Sequence, residues 1–162
     1  MNGIVQQFLT FARPPKIELK EIPAEQFLSH ISTLFGAQAS AKSVRFNSHV
    51  NFEGVIRIDT DQMTQALLNL LQNALDATAS DGTISLELTQ KGAYTVFEIA
   101  DDGTGIPADR MGRIFDLYFT TKPEGTGMGL AITQQIVAQH QGMIDVESGP
   151  KQGTTFSISI PI

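Results

Sequence analysis

Residues 65–77 read QALLNLLQNALDA, a leucine-rich helix that carries amides at Gln65, Asn69 and Asn73 and a carboxylate at Asp76. Positions 65, 69, 73 and 76 are four, four and three apart, so they line one helical face. Met63, Leu67, Leu70, Leu71, Ala74 and Leu75 cover the opposite side. A face turned only to water favours Lys or Glu, since Asn is a poor helix former. Neutral oxygens at four-residue spacing suit a cation whose charge is balanced mostly by a ligand's phosphates, as magnesium's is. Solvated amides are the plainer alternative, and the choice turns on whether the chain supplies a phosphate site.

Just upstream, DTDQM offers Asp59 as N-cap with Gln62 reaching back, and VIRI from Val55 reads as a strand. Downstream the helix runs to about Thr78 and breaks at Ser80, Asp81 and Gly82. Two strands follow, TISLEL and YTVFEIAD, joined by a turn at Lys91 and Gly92. Before the helix, Val44, Phe46, Ser48 and Val50 alternate as a strand. Phe27, Leu28, Ile31, Leu34 and Phe35 form the buried stripe of a helix with Pro23 in its first turn. The chain closes with a helix ending at Gly142, then MIDVES, a Gly-Pro-Lys-Gln-Gly turn and TTFSISI as a hairpin. Strands interrupted by helices predict an α+β two-layer sandwich, one mixed sheet covered on one face by helices.

Two glycine stretches supply the chemistry. In GTGMGLAITQQ, Gly125, Gly127 and Gly129 leave backbone N–H groups open just before a helix, whose N-terminal end favours anions. A flexible connector is the alternative. In DDGTGIPADR, Asp101 shares the parity of Phe97 and Ile99, so it belongs to the inward face of its strand. A carboxylate there needs a partner; an exocyclic amine such as adenine N6 is apt, and capping of the next turn is the alternative. GTGIPA also fits a loose dinucleotide fingerprint, but Pro107 sits where the helix should turn and no βαβ unit surrounds it.

At 162 residues, 41% hydrophobic and 17% charged, the chain suits one globular domain. A net charge of -6 argues against a protein whose main task is gripping nucleic acid. With no cysteine, disulfide and thiolate chemistry are excluded and a reducing, cytoplasmic setting is expected. No apolar run reaches the roughly 20 residues of a membrane span.

In this order the motifs resemble the catalytic ATP-binding domain of bacterial sensor histidine kinases, within the superfamily of gyrase and mismatch-repair ATPases. NLLQNALDA looks like that family's N box, DDGTGIP its G1 box, IFDLYFTTK its F box and GTGMGL its G2 box. FTTKPEGTGMGLA, with so short a segment before the G2 box, resembles the nitrogen-regulation branch. The resemblance implies ATP and Mg2+, with Asn73 as metal ligand and Asn69 its companion. It implies an adenine pocket at Asp101, Gly103, Gly105 and Ile106, beside Ala77, with Thr155 joining through water. Gly125, Thr126, Gly127, Met128, Gly129 and Leu130 would frame the triphosphate. Residues 110–124 would form a lid anchored by Phe115, Tyr118 and Phe119, with Thr121 and Lys122 reaching the nucleotide.

Two departures sharpen this. Many of these kinases carry a basic residue where this chain has Asp76, so Lys122 becomes the candidate for neutralising phosphate, against the alternative of a solvated loop lysine. Hydrolases of the superfamily carry a glutamate base where this chain has Asn69, and an amide takes no proton at neutral pH. That favours phosphoryl transfer over hydrolysis. His30, His49 and His140 do not fit the family's acceptor pattern. The opening GIVQQFLTFARPP, with Ile4, Val5, Phe8, Leu9 and Ala12 at helical spacing, resembles the end of a dimerisation helix. The expected division is therefore 1–15, the end of that helix, and 16–162, the ATP-binding domain. The acceptor histidine would lie upstream in a homodimeric parent that passes phosphate to a response regulator. An ATPase of the same superfamily and an ATP-sensing interaction module are the alternatives.

Overall fold

The computed structural model describes residues 2–162. In chain order its elements are α1 (Asn2–Ala12), β1 (Lys20–Pro23), α2 (Ala24–Ala41), β2 (Arg45–Val50), β3 (Val55–Ile58), α3 (Thr60–Ala77) and β4 (Thr83–Lys91). They continue with β5 (Tyr94–Asp101), α4 (Ala108–Met111), α5 (Gly129–Gln139), β6 (Met143–Ser148) and β7 (Thr154–Pro161). Among the described residues, five strands form a mixed sheet in the order β2-β4-β5-β7-β6. Only the β2–β4 pair is parallel. A parallel pair needs a crossover, and β3 with α3 supplies it.

Period-two alternation decides what the sheet buries. Ile84, Leu86 and Leu88 on β4 line one face with Phe97 and Ile99 on β5 and Phe156, Ile158 and Ile160 on β7, all at most 5% exposed. Ser85, Glu87, Glu98, Ser157 and Ser159 alternate onto the other face and stay partly open. Leu67, Leu70, Leu71 and Leu75 of α3 close the core with Phe27, Ile31 and Phe35 of α2 and Ile132 and Ile136 of α5. Each such side chain contributes about 1.5–3 kcal/mol of burial. The α+β sandwich expected from the pattern is the fold observed.

Several local expectations need correction. The extended residues before α2 pair with VIRI in a separate two-stranded ribbon, Ile22 opposite Ile56, outside the main sheet. Pro23 ends that ribbon, and α2 begins at Ala24. Leu34, assigned to the buried stripe, is 41% exposed, because Phe27, Ile31 and Phe35 already fill the inner face. Asp59 caps α3 through the Gln62 N–H, but the Gln62 side chain donates to the Asp59 carboxylate, not the reverse bond of a capping box. Helix α5 ends at Gln139, and Gln141 rather than Gly142 takes the left-handed conformation, φ 57°.

The C-terminal end of α1 and the connector after it are tied to α5. Gln135 donates to the Phe11 carbonyl at 3.0 Å and Gln139 to that of Pro15 at 3.2 Å, while Phe11 packs onto the core. Ile4, Val5, Phe8 and Leu9 remain exposed, with no cover among the described residues.

Candidate functional site

The polar face of α3 looks into a cavity of about 640 Å³. Asn69, Asn73 and Ala77 form its floor, and Asp101, Gly105 and Ile106 one end. Phe119, Thr121 and Lys122 with Gly125, Thr126 and Gly127 form the overhang, and Gly129 and Leu130 open α5 beside them. Residues scattered over half the sequence thus meet because β5 delivers Asp101 to the C-terminal end of α3 while α5 starts next to Asn69.

At one end Asp101 closes the inward row of β5. Burial pushes its carboxyl above the ordinary range. Hydrogen bonds from the backbone of Gly103 and Thr154 act the other way, and the neighbouring charge of Asp102 adds to the rise. The Gly103 N–H donates to Asp101 Oδ1 at 2.8 Å. The following loop is fastened to the β6–β7 turn. Ile106 N–H donates to Ser148 Oγ and Lys151 N–H to the Thr104 carbonyl, each at 2.8 Å. Gly105 has φ 73°, and a Cβ there would stand 1.9 Å from the Gly149 carbonyl oxygen, so no other residue fits.

At the other end, Lys122 Nζ donates to Asn73 Oδ1 at 2.9 Å and to Asp76 Oδ2 at 2.5 Å. Gln72 Nε2 donates to Asp76 Oδ1 at 2.8 Å and Lys42 approaches the same oxygen at 3.8 Å. Partial burial alone would raise the Asp76 carboxyl. Hydrogen bonds from Lys122 and Gln72, with the charges of Lys122 and Lys42, outweigh it and hold the group below the usual range. Asn69 faces α5 instead: its Nδ2 donates to the Gly129 carbonyl at 3.2 Å and lies 3.5 Å from Thr133 Oγ1.

The glycines of the second stretch differ in purpose. Gly127 takes φ 68° against the backbone of Tyr118, whose N–H donates to the Gly127 carbonyl at 2.8 Å. At Gly129 a Cβ would meet only ordinary contacts, the nearest Asn69 at 3.8 Å, so the protein itself leaves that backbone open to the cavity. Helix α5 begins there with no side-chain cap on its N-terminal N–H groups, the arrangement that receives anions.

Four expected residues are placed elsewhere. Thr155 has the parity of Ser157 and Ser159 and lies on the far face of the sheet; Thr154, directly opposite Asp101, takes the cavity position. Tyr118 is 54% exposed, so its backbone rather than its ring holds the lid. Met128 is fully buried in the core beneath the glycines. Gly103 lies under the cavity against the Ala77 carbonyl rather than lining it. Arg110, at the start of the expected lid, borders the cavity, and so do Thr104, Phe156 and Gln7, to which the sequence assigns no site role. Strand parity could have found Phe156, but nothing local marks Gln7, which reaches the cavity from α1, tied at its C-terminal end to α5.

A desolvated acceptor at one end, a neutral amide oxygen already bearing a cationic nitrogen at the other, and an uncapped helix start between them fit a purine nucleotide with a metal-bound phosphate chain. Among the described residues no three His, Cys, Asp or Glu side chains cluster as metal ligands. A cation at Asn73 would therefore draw its other oxygens from phosphate and water.

The family model described as histidine kinase-, DNA gyrase B- and HSP90-like ATPase matches residues 58–162. Sensor histidine kinase ZraS of Escherichia coli K12 is 36% identical over all of this chain and 35% of its own length. The catalytic domain of histidine kinase ThkA superposes with a TM-score of 0.80 at 28% identity, covering 89% of this chain and 95% of that one. ThkA in complex with the response regulator protein TrrA gives a TM-score of 0.84 at 25% identity, over 99% and 46%. Full-length ShkA in complex with AMPPNP gives 0.86 at 30% identity, over 98% and 35%. The chain spans about a third of the length of the curated ZraS relatives it matches.

Proposed function

The chain belongs to the family of histidine kinase-, DNA gyrase B- and HSP90-like ATPases, and on that premise we propose that it holds ATP with Mg2+ and delivers the γ-phosphate to a histidine. That histidine would lie on a dimerisation domain of the same parent protein, as the likeness to ZraS supports. The observation that carries this reading is the single cavity with the desolvated Asp101 carboxylate at one end and the Asn73–Lys122 pair at the other.

In this reading Asp101 accepts from the exocyclic amine of adenine, and Gly105 and Ile106 lie against the ring. Asn73 is the protein ligand of magnesium, with Asn69 behind it; the metal supplies charge neutralisation along the phosphates. The cavity-lining stretch Gly125–Gly127 and the open backbone at Gly129 receive the phosphate chain at the α5 N-terminus, and Lys122 offsets its charge. Asn69 has no basic site and is tied to Gly129, so no residue at that position activates water. The chain's contribution to transfer is then positioning and electrostatics rather than covalent chemistry.

The same reading assigns residues 1–15 to the end of a dimerisation helix and 16–162 to the catalytic domain, in a homodimeric parent acting on a response regulator from the cytoplasmic side of any membrane. The chain's likeness to ThkA, which has been solved with a response regulator, supports that partner. Among the described residues no helix is long and apolar enough to cross a membrane.

The test mixes the protein with Mg2+ and ATP labelled at the γ-phosphate, together with the histidine domain of its own parent. Acid-labile, base-stable label on that domain, absent with Asn73→Ala, is the expected result. Free phosphate in its place would mean an ATPase. Bound nucleotide with neither product would mean a nucleotide-sensing module.

A further inference from the structure

The overhang above the cavity is held in two different ways. At its root, Ile114 is buried, and Phe115, Leu117 and Phe119 pack partly buried onto the core. Arg113 lies over the Phe119 ring at 4.7 Å and pairs with Asp116 at 3.6 Å, contacts that stay within the segment. Its tip is different. Among the described residues, the hydrogen bonds that residues 112–125 make to a partner outside 108–128 are the two that Lys122 donates to α3.

The tip also aims that lysine. The Lys122 N–H donates to Thr120 Oγ1 at 3.0 Å, and the Lys122 carbonyl accepts from the Gly125 N–H at 3.1 Å. Its backbone is thereby fixed in a tight turn that faces α3. On the helix, Asp76 is equally prepared. Gln72, one turn earlier, orients its Oδ1 and leaves Oδ2 for the lysine.

We infer that Asp76 is a positioning residue that parks Lys122 on Asn73 and so latches the lid tip to α3 in the absence of nucleotide. This rests on the proposed role of Asn73 as metal ligand, and it adds a competition. Asn73 Oδ1, the oxygen assigned to magnesium, is the one that receives Lys122 Nζ at 2.9 Å. An ammonium and a dication cannot share one carbonyl oxygen at bonding distance, because their mutual repulsion outweighs what either gains from it. Metal at Asn73 and the Lys122–Asn73 bond are therefore mutually exclusive, which leaves the tip held by Asp76 alone. Asp76 lets the lysine move aside without becoming an uncompensated cation, since Oδ2 lies one helical turn along the same face. The carboxylate in place of the basic residue common in these kinases is then part of a closed nucleotide-free lid, not a defect of the phosphate site.

The test uses the nucleotide-free protein and reads hydrogen exchange at the backbone amides of residues 119–127. Asp76→Asn and Lys122→Met should each speed that exchange at least several-fold, and Asp76→Glu should restore most of the protection. Exchange of α3 and of the central strands should stay at wild-type rates, which separates an opened latch from general unfolding. A second reading titrates Mg2+ at fixed ADP and follows nucleotide binding: Lys122→Met should reach half-saturation at severalfold lower Mg2+. Unchanged lid exchange in both variants overturns the latch, even if phosphotransfer proceeds as proposed. A higher Mg2+ midpoint in Lys122→Met likewise overturns the competition, making the lysine a phosphate ligand alone. Because the exchange is read without nucleotide, failure of the kinase reading leaves that arm intact.

Discussion

His140 Nε2 accepts the backbone N–H of Asp59 at 3.0 Å, so a neutral imidazole joins the end of α5 to the start of α3. Its other nitrogen lies 2.8 Å from the Ile136 carbonyl, the tautomer with a proton on Nδ1. Asp59 in turn gathers the N–H groups of Glu18 and Gln62 on its carboxylate, which ties the connector after α1 to the same point. The two helices that flank the cavity therefore share one buried junction.

Acid should weaken that junction. Burial holds His140 below its ordinary value, with the Ile136 hydrogen bond and the Asp59 charge opposing. The unfolded chain thus takes up the proton first. The contribution to stability is complete above about pH 6.5 and is lost as pH falls below it toward the folded value. Urea unfolding at pH 7.5 and 5.5 should show a loss of stability for the wild type and a much smaller one for His140→Gln. Equal losses would move the acid sensitivity elsewhere.

Asp101 should trade stability for binding. Its carboxyl is raised by burial, so the folded chain binds a proton more readily than the unfolded one. Stability from that proton is present at low pH and lost as pH rises through the folded value; at neutral pH the charge is a cost. Asp101→Asn should then melt higher than the wild type at pH 7.5. It should also bind ATP about 10–100-fold more weakly, on the order of 1–3 kcal/mol for a lost charged acceptor, and discriminate less against GTP. Calorimetric titration with both nucleotides, beside thermal unfolding, checks the pair of effects.

Much of this was legible because periodicity reports which face a side chain takes. The amide stripe of α3 and the inward parity of Asp101 needed only period 3.6 and period 2. Thr155 was misassigned for the same reason in reverse: a hairpin strand places neighbours on opposite faces, and only the register of β7 against β5 shows that Thr154 meets Asp101. Gln7 and the Lys122–Asp76 contact had no local signature. They depend on where α1 and the lid come to rest, which is set by contacts between segments 46 and more residues apart, as with Lys122 and Asp76.

The two threonines give a direct comparison. Thr154 is buried beside Asp101, its hydroxyl 2.8 Å from Ser148 Oγ, whereas Thr155 looks outward from the sheet. Thr154→Ala should weaken ADP binding roughly 5–10-fold, about 1 kcal/mol for one hydrogen bond. Thr155→Ala should stay within about twofold of the wild type, a surface change of the kind that costs little. Fluorescent-nucleotide titration decides it, and the opposite ranking would put the outer face of β7 in contact with nucleotide.

Asn69 is the position where superfamily hydrolases carry a glutamate, yet Asn69→Glu should not turn this protein into an efficient ATPase. The Asn69 amide is a donor here, spanning from α3 to the Gly129 carbonyl at 3.2 Å with Thr133 beside it. A carboxylate would face that carbonyl oxygen with no hydrogen to offer; the carbonyl keeps its bond from Thr133 Oγ1 at 2.9 Å, so the cost is the lost bond between the helices, about 1 kcal/mol, plus the repulsion between the two oxygens. For a chain of this length that is a fall of a few degrees in unfolding temperature for each ~1 kcal/mol. The first turn of α5, where the phosphate chain is assigned, would shift with it, so nucleotide binding should weaken together with stability. Phosphate release measured beside thermal unfolding separates the possibilities. Faster hydrolysis at an unchanged unfolding midpoint would show that the glutamate alone is missing and that the Asn69–Gly129 bond does not hold the two helices in register.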